Sequence, residues 1–118
     1  MGTLQYDGDR LHFDDRMLAH LQIVIVQKLR ANEAFLMSWL KTLSAGSGRT
    51  SIWIQPGVPL RFDFDGNRTP SINRDWLHTL HQSANSSTGL IVTDESGRPA
   101  HCDDRAPSAE VKRRSPAR

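Results

Sequence analysis

Two histidines and one glycine-rich loop are the features of this sequence whose residue types and spacing could support chemistry. His78 and His81 are three residues apart on a predicted helix, so both could reach one metal ion from the same face. A protein metal site of this kind needs three or four ligands, and no third ligand is suitably spaced. The helical spacing predicts that His81 borders the apolar stripe of this helix and that His78 faces solvent, so a metal site is not predicted.

The loop at residues 44–51 could hold a phosphate group through its backbone N–H groups, with Arg49 as the counter-charge. It lacks the G-x-x-x-x-G-K-[ST] spacing, and it connects two predicted strands without a helix N-terminus to face an anion. A flexible hairpin loop is the better interpretation.

Nucleophilic and acid–base catalysis find no support in the sequence. No G-x-S-x-G motif is present, and Cys102 lies in a polar C-terminal stretch with no sign of an electropositive pocket. Asp63 and Asp65 are predicted to face solvent, and no acid–base pair stands out. We therefore predict no catalytic residue, no bound metal and no cofactor, and the chain is not expected to be an enzyme.

A group of arginines with one asparagine is the candidate site for an anion or a nucleic acid. Its members are Arg49, Arg61, Asn67, Arg68 and Arg74. Trp53 and Trp76 are near these residues in the sequence, as in surfaces that bind single-stranded nucleic acid. Because aspartates are interleaved with the arginines, the local charge largely cancels and a solvated surface is the more ordinary interpretation.

Three consecutive strand-like runs, at residues 34–40, 50–55 and 60–65, must position these side chains. In the third run the apolar residues Leu60, Phe62 and Phe64 alternate with charged residues, which predicts that they face a core. A short hairpin around Asp7-Gly8-Asp9 is predicted to come before these runs. A last strand at residues 90–93 is predicted to follow them.

Two helices complete the predicted fold. The first begins at Asp14 or Asp15, ends near Arg30 and carries an apolar stripe; the second begins near Asn73. The first helix has more apolar surface than one contact with a sheet requires. A buried strand or a second covering surface, for example a twin subunit, would explain this excess. The predicted interface residues are Ile23, Val24 and Val26.

These elements predict an α+β fold of order ββαβββαβ, in which a mainly antiparallel sheet packs against two helices. Residues 1–94 form the predicted single domain. Residues 95–118 contain few apolar residues and several prolines, so a disordered tail is predicted there.

Composition and charge restrict the class of protein. The chain has 118 residues and a formal net charge of +2, and its pI is about 9.1. The first 94 residues are formally neutral, so the basic character comes from the tail, and weak attraction to nucleic acid would come from residues 112–114. No apolar run is long enough to cross a membrane, and no signal peptide is recognisable. The single cysteine fits a reducing compartment, so a cytoplasmic location is predicted.

Several segments resemble a family of roughly hundred-residue actinobacterial proteins of unknown function. The resemblance covers roughly residues 1–93, and the segments that carry it are residues 1–6, 18–22, 49–54, 59–62, 66–76 and 83–86. Many members of that family are labelled ATP-dependent DNA ligase, which implies a link with DNA. Such ligases need a lysine nucleophile in a K-x-D-G motif, and none of the three lysines here is in that setting.

Sequence alone therefore favours a non-enzymatic interaction or binding module. The partner could be a second copy of the chain, bound through the first helix or a sheet edge, or it could be an unidentified protein. The alternative is a protein that binds nucleic acid weakly or is associated with DNA ligation.

Overall fold

The computed structural model describes residues 1–42 and 48–102. Within these residues two sheets enclose two helices. The strands are β1 (Gly2–Tyr6), β2 (Asp9–Phe13), β3 (Phe35–Lys41), β4 (Arg49–Ile54), β5 (Leu60–Asp63), β6 (Leu90–Ile91) and β7 (His101–Cys102). The helices are α1 (Asp15–Arg30) and α2 (Arg74–Ala84). The predicted α+β class is confirmed.

The strands are divided between two sheets, where one had been expected. Sheet A is antiparallel and has the order β2–β1–β5, whereas sheet B has β3 at its centre, with β4 on one side and β6 and β7 on the other. Strands β6 and β7 run parallel to β3. Two prolines, Pro56 and Pro59, lie between β4 and β5 and supply no backbone N–H for a ladder. Strand β5 instead pairs with β1.

Local chemistry explains the first elements. Asp7 and Gly8 both have positive φ angles, 51° and 89°, as a two-residue type I′ turn requires, so the predicted hairpin forms. Asp14 caps helix α1, because its Oδ1 accepts a hydrogen bond from the backbone N–H of Met17 at 2.8 Å. Asn73 caps helix α2 in the same way, accepting from the N–H groups of Asp75 and Trp76.

The core lies between the inner faces of the two sheets and the helices. Fully buried side chains from sheet A, the helices and sheet B form one cluster, which includes Leu4, Leu18, Met37, Leu80 and Leu90. Phe62 and Phe64 pack against this cluster but stay half-buried, because they lie at its rim. Both helices pack on the inner side of the sheets, so the outer faces of the sheets determine which chemistry the domain presents.

Regular structure continues past the boundary predicted at residue 94. Thr93 forms a bridge with Pro99, and β7 then pairs with β3. Cys102 is only 2% exposed, and its Sγ donates to the backbone carbonyl of His12 at 3.4 Å. The domain therefore extends at least to Cys102, because alternating small side chains can fill a sheet edge without a long apolar run. The rest of the tail, residues 103–118, lies outside the described residues.

Neither helix found in the described residues is long and apolar enough to cross a lipid bilayer.

Candidate interaction site

One face of sheet B points away from the core and carries apolar side chains. The strand register and the burial pattern identify it: the inward-facing residues of β3, β4 and β6 are buried or half-buried, and the outward-facing ones are half-buried or exposed, apart from the buried Ser38. We call this the outer face of sheet B. Its residues are Leu36, Ser38, Leu40, Arg49, Ser51, Trp53, Ile91 and His101.

The strand register arranges these residues in three rows across the sheet. Leu40 lies opposite Arg49 on one side and His101 on the other, so this row carries the positive charge of Arg49. Ser38 lies between Ser51 and Ile91, and the two serine hydroxyl oxygens are 2.7 Å apart. Leu36 lies opposite Trp53 and gives an apolar row. The face therefore runs from positive charge at one end to exposed apolar surface at the other.

Trp53 is the most unusual residue of this face. Its side chain is 57% exposed, whereas Trp39 and Trp76 are 1% and 6% exposed. A large aromatic residue in solvent exposes much apolar area, and tryptophan is among the residues most enriched in binding hot spots. Beside it lies a groove of about 260 Å³ that continues to Asn85, Ser86 and Gly89 at the end of α2.

Strand β4 also presents an open edge. The N–H of Lys41 bonds to the carbonyl of Gly48, so the odd-numbered residues of β3 direct their backbone groups toward β4. Their partners in β4 are even-numbered, and Arg49, Ser51 and Trp53 consequently direct their N–H and carbonyl groups away from β3. No strand within residues 1–42 and 48–102 pairs with that side of β4.

Tyr6 closes one end of this edge. Its hydroxyl donates to the carbonyl of Trp53 at 3.2 Å and accepts from the N–H of Gln55 at 3.0 Å. The Tyr6 side chain is buried, so this bond also connects sheet A to sheet B. The backbone groups of Arg49 and Ser51, together with the N–H of Trp53, make up the part of the edge that remains open.

The outer face of sheet A has a different character. Its side chains are polar and bond to one another: Gln5 donates to Asp63 at 2.9 Å, and Arg61 donates to Asp63 at 3.0 Å. Thr3 and His12 also pair across the strands. Because these groups satisfy one another, sheet A offers a solvated surface, and sheet B is the better candidate for a contact with another molecule.

A buried polar cluster joins the two helices, but it has a structural role. His20 is fully buried, stacks on Trp76 with ring centroids 4.3 Å apart, and accepts from the N–H of Asn73 at 2.9 Å through Nε2. Its Nδ1 bonds to the carbonyl of Arg16 at 2.7 Å, so this nitrogen must carry the proton. Since both ring nitrogens are used, His20 has no capacity left for catalysis or a metal.

The structure does not bring the five predicted anion-binding residues together. Arg61 bonds to Asp63 and lines a cavity beside the Asp7-Gly8 turn. Asn67 and Arg68 line a separate cavity of about 210 Å³ against α1. Arg49 is on β4, and Arg74 is the first residue of α2. The anion-binding prediction stays untested, and its residues offer no shared pocket among the described cavities.

The predicted interface on α1 loses one of its three residues. Val24 is fully buried in the core of its own chain, because it belongs to the inward face of the helix, so it cannot contact a twin subunit. Ile23 and Val26 are half-buried and remain a prediction. His78 is exposed and His81 half-buried, as the helical spacing implied. Within the described part of the chain no three His, Cys, Asp or Glu side chains are grouped to bind a metal ion.

Comparison with known families identifies one matching family model. The sequence model of the family described as Domain of unknown function (DUF7882) matches residues 1–95. The chain belongs to this family. No curated protein and no solved structure matches the chain.

The match to the DUF7882 family ends at Glu95, which anchors the segment that follows β6. The Glu95 carboxylate accepts from the Arg16 guanidinium and, at 2.7 Å, from the Asn73 side-chain amide. These bonds, chiefly the one from Arg16, lower the pKa of the Glu95 carboxyl group below its ordinary value. The carboxylate therefore holds α1, the cap of α2 and the chain leading to β7 together.

We expect Glu95→Gln to remove part of the acid sensitivity of the domain. A carboxyl group with a lowered pKa in the folded state stabilises that state above its ordinary pKa, near 4.3, and the contribution disappears as the pH falls through the lowered value. The gap in urea midpoint between wild type and Glu95→Gln should be largest near neutral pH and shrink as the pH is lowered through the acid range. A gap that stays constant over this range would contradict the assigned bonds.

The outer face of sheet B was missed by sequence reasoning for a physical reason. Trp53 lies in the run Ile52-Trp53-Ile54, which reads as apolar on both faces and so as a buried strand. The register of β4 against β3 instead places Trp53 on the outer face of sheet B, where its side chain is 57% exposed. The available signal was the polar alternation of Arg49, Ser51 and Gln55 with the more apolar positions.

Proposed function

We propose that this DUF7882 domain is a non-enzymatic interaction module that binds a protein partner through the outer face of sheet B. The observation that carries the proposal is the exposure of Trp53 at the edge of that face, opposite Leu36. A sheet face with a large exposed aromatic residue, next to an open edge, is typical of surfaces that become buried when a partner protein binds. The cytoplasmic location predicted from the single cysteine is part of this proposal.

The energetic role of Trp53 supports this interpretation. A side chain that is 57% exposed adds little to the stability of its own chain, so Trp53 has no structural need to be so large. The outer face of sheet A provides the contrast. Its side chains are polar and bond to one another, as expected of a sheet face that only contacts solvent.

Trp53→Thr is expected to change the free energy of unfolding by less than about 1 kcal/mol, because the substitution is at a surface position and threonine suits a strand. The matched control, Trp76→Thr, removes a buried indole whose Nε1 donates to the carbonyl of Thr93 at 2.9 Å. That variant should lose about 3–5 kcal/mol. Urea denaturation followed by circular dichroism measures both. A loss at Trp53 comparable to that at Trp76 would mean that Trp53 serves the fold.

The binding role itself is tested with a displayed library of random peptides. Peptides selected on the wild-type domain should lose binding on Trp53→Thr and keep it on Ile72→Thr, a control that changes another exposed apolar residue. Tryptophan fluorescence gives a second readout, because Trp53 is the indole that iodide can reach while Trp39 and Trp76 are buried. A bound peptide should protect Trp53 from iodide. Equal selection on wild type and Trp53→Thr would refute the proposed function.

A further inference from the structure

The open edge of β4 and the charge of the outer face together define the chemistry of a partner. This inference rests on the proposed function, and it names what binds there. We propose that the occupant is an extended peptide segment, pairing antiparallel with the outer edge of β4, with a carboxylate side chain beside Arg49 and an apolar side chain beside Trp53.

The backbone of β4 supplies the first part of the argument. Arg49, Ser51 and Trp53 direct their N–H and carbonyl groups away from β3. An extended chain laid along this side completes the ladder, which is how many domains bind peptides at a sheet edge. In the antiparallel arrangement Arg49 and Ser51 each lie opposite one peptide residue and exchange two hydrogen bonds with it. Trp53 lies opposite a third peptide residue and offers its N–H, because its carbonyl accepts from Tyr6.

Charge supplies the second part. Arg49 is exposed and has no ion pair among the described residues. His101 lies two positions across the same row, and the outer face of sheet B carries no Asp or Glu among its described residues. A carboxylate on the incoming strand would therefore meet a positive site without a competing anion.

Spacing supplies the third part. Arg49 and Trp53 are four residues apart on one face of β4, or roughly 13 Å along the strand. The peptide must therefore carry its apolar and acidic side chains four positions apart. In the antiparallel direction the apolar residue comes first, because it pairs with Trp53. Tyr6, bonded to the carbonyl of Trp53, blocks pairing beyond that point, so the ladder ends there.

A second copy of this chain fits the same edge less well. If two β4 strands paired about a twofold axis centred on Ser51, Arg49 of each would lie opposite Trp53 of the other. Such a pair would leave each Arg49 opposite a tryptophan, with no carboxylate on either strand to pair with it. Charge complementarity therefore favours a different, acidic chain as the partner.

The test uses a short capped peptide of threonines that carries one phenylalanine and, four positions later, one aspartate. Binding to the full chain is measured by protection of Trp53 from iodide. N-methylation of the amides that face β4 should weaken binding roughly tenfold or more, whereas methylation of the alternate amides should have little effect. Replacing the aspartate with asparagine, or Arg49→Gln in the domain, should each weaken binding about two- to fivefold.

Each alternative outcome points to a different failure. Absence of binding at millimolar peptide, or equal effects of both methylation patterns, would overturn edge pairing. Tight binding of the reversed peptide would overturn the antiparallel direction. If the library peptides depend on Trp53 but ignore Arg49→Gln and backbone methylation, the proposed function stands and this inference falls. A dimer in light scattering that Arg49→Gln strengthens would identify a second copy as the occupant and overturn the inference.

Discussion

Replacing Gly89 with alanine should destabilise the domain by about 3 kcal/mol or more. Gly89 has a φ of +81°, and a Cβ atom there would lie 2.4 Å from the backbone oxygen of Leu36 and 2.9 Å from its Cβ. The left-handed conformation costs a non-glycine residue about 1–2 kcal/mol. Relieving the contact requires a shift of backbone in β3, which adds about 1–3 kcal/mol.

Gly97→Ala is the matched control for this prediction. Gly97 has a similar φ of +91°, but nothing lies within 4 Å of the position of its Cβ. It should therefore lose only the conformational part, about 1–2 kcal/mol. The difference between the two variants in urea midpoint isolates the contact with Leu36. Equal losses would show that the α2–β6 turn is not pressed against β3.

The second large effect is expected at His20. In His20→Leu the N–H of Asn73 loses its acceptor at Nε2, and the stacking on Trp76 is lost. An unsatisfied buried donor costs about 1–3 kcal/mol, and an aromatic pair contributes about 0.5–1.5 kcal/mol. The free energy of unfolding should therefore fall by about 2–4 kcal/mol.

His78→Leu provides the control, because His78 is an exposed histidine on α2 and its replacement should change the stability by no more than about 0.5 kcal/mol. Chemical denaturation at neutral pH compares the two variants. A small effect at His20 would mean that water or a neighbouring side chain replaces its bond to Asn73. The assignment of His20 as the joint between the two helices would then be wrong.

Sequence patterns predicted the local elements well. The Asp7-Gly8 turn, the caps Asp14 and Asn73, and the end of α1 near Arg30 all depend on neighbours in the chain, which periodicity and residue type report directly. The α+β class followed from the same signals. The disorder predicted for residues 103–118 stays a prediction.

Strand pairing was less accessible, because it depends on partners that are far apart in the sequence. Strand β5 pairs with β1 across more than fifty residues, so the split into two sheets could not be read from the alternation within β5. The same limit hid β7, whose two residues His101 and Cys102 pair with Leu40 and Lys41. It also hid the exposure of Trp53, since a run of apolar residues does not show which face of its strand stays uncovered.

The bond from Tyr6 to the carbonyl of Trp53 bears on how copies of this domain behave when crowded. A strand that is open along its whole length is a template on which identical chains can stack without end, as in amyloid fibrils. Because the Tyr6 side chain from sheet A occupies one end of the β4 edge, a second chain can pair with only a few residues of β4. We infer that Tyr6 keeps the open edge of β4 too short to support the continuous strand stacking of a fibril.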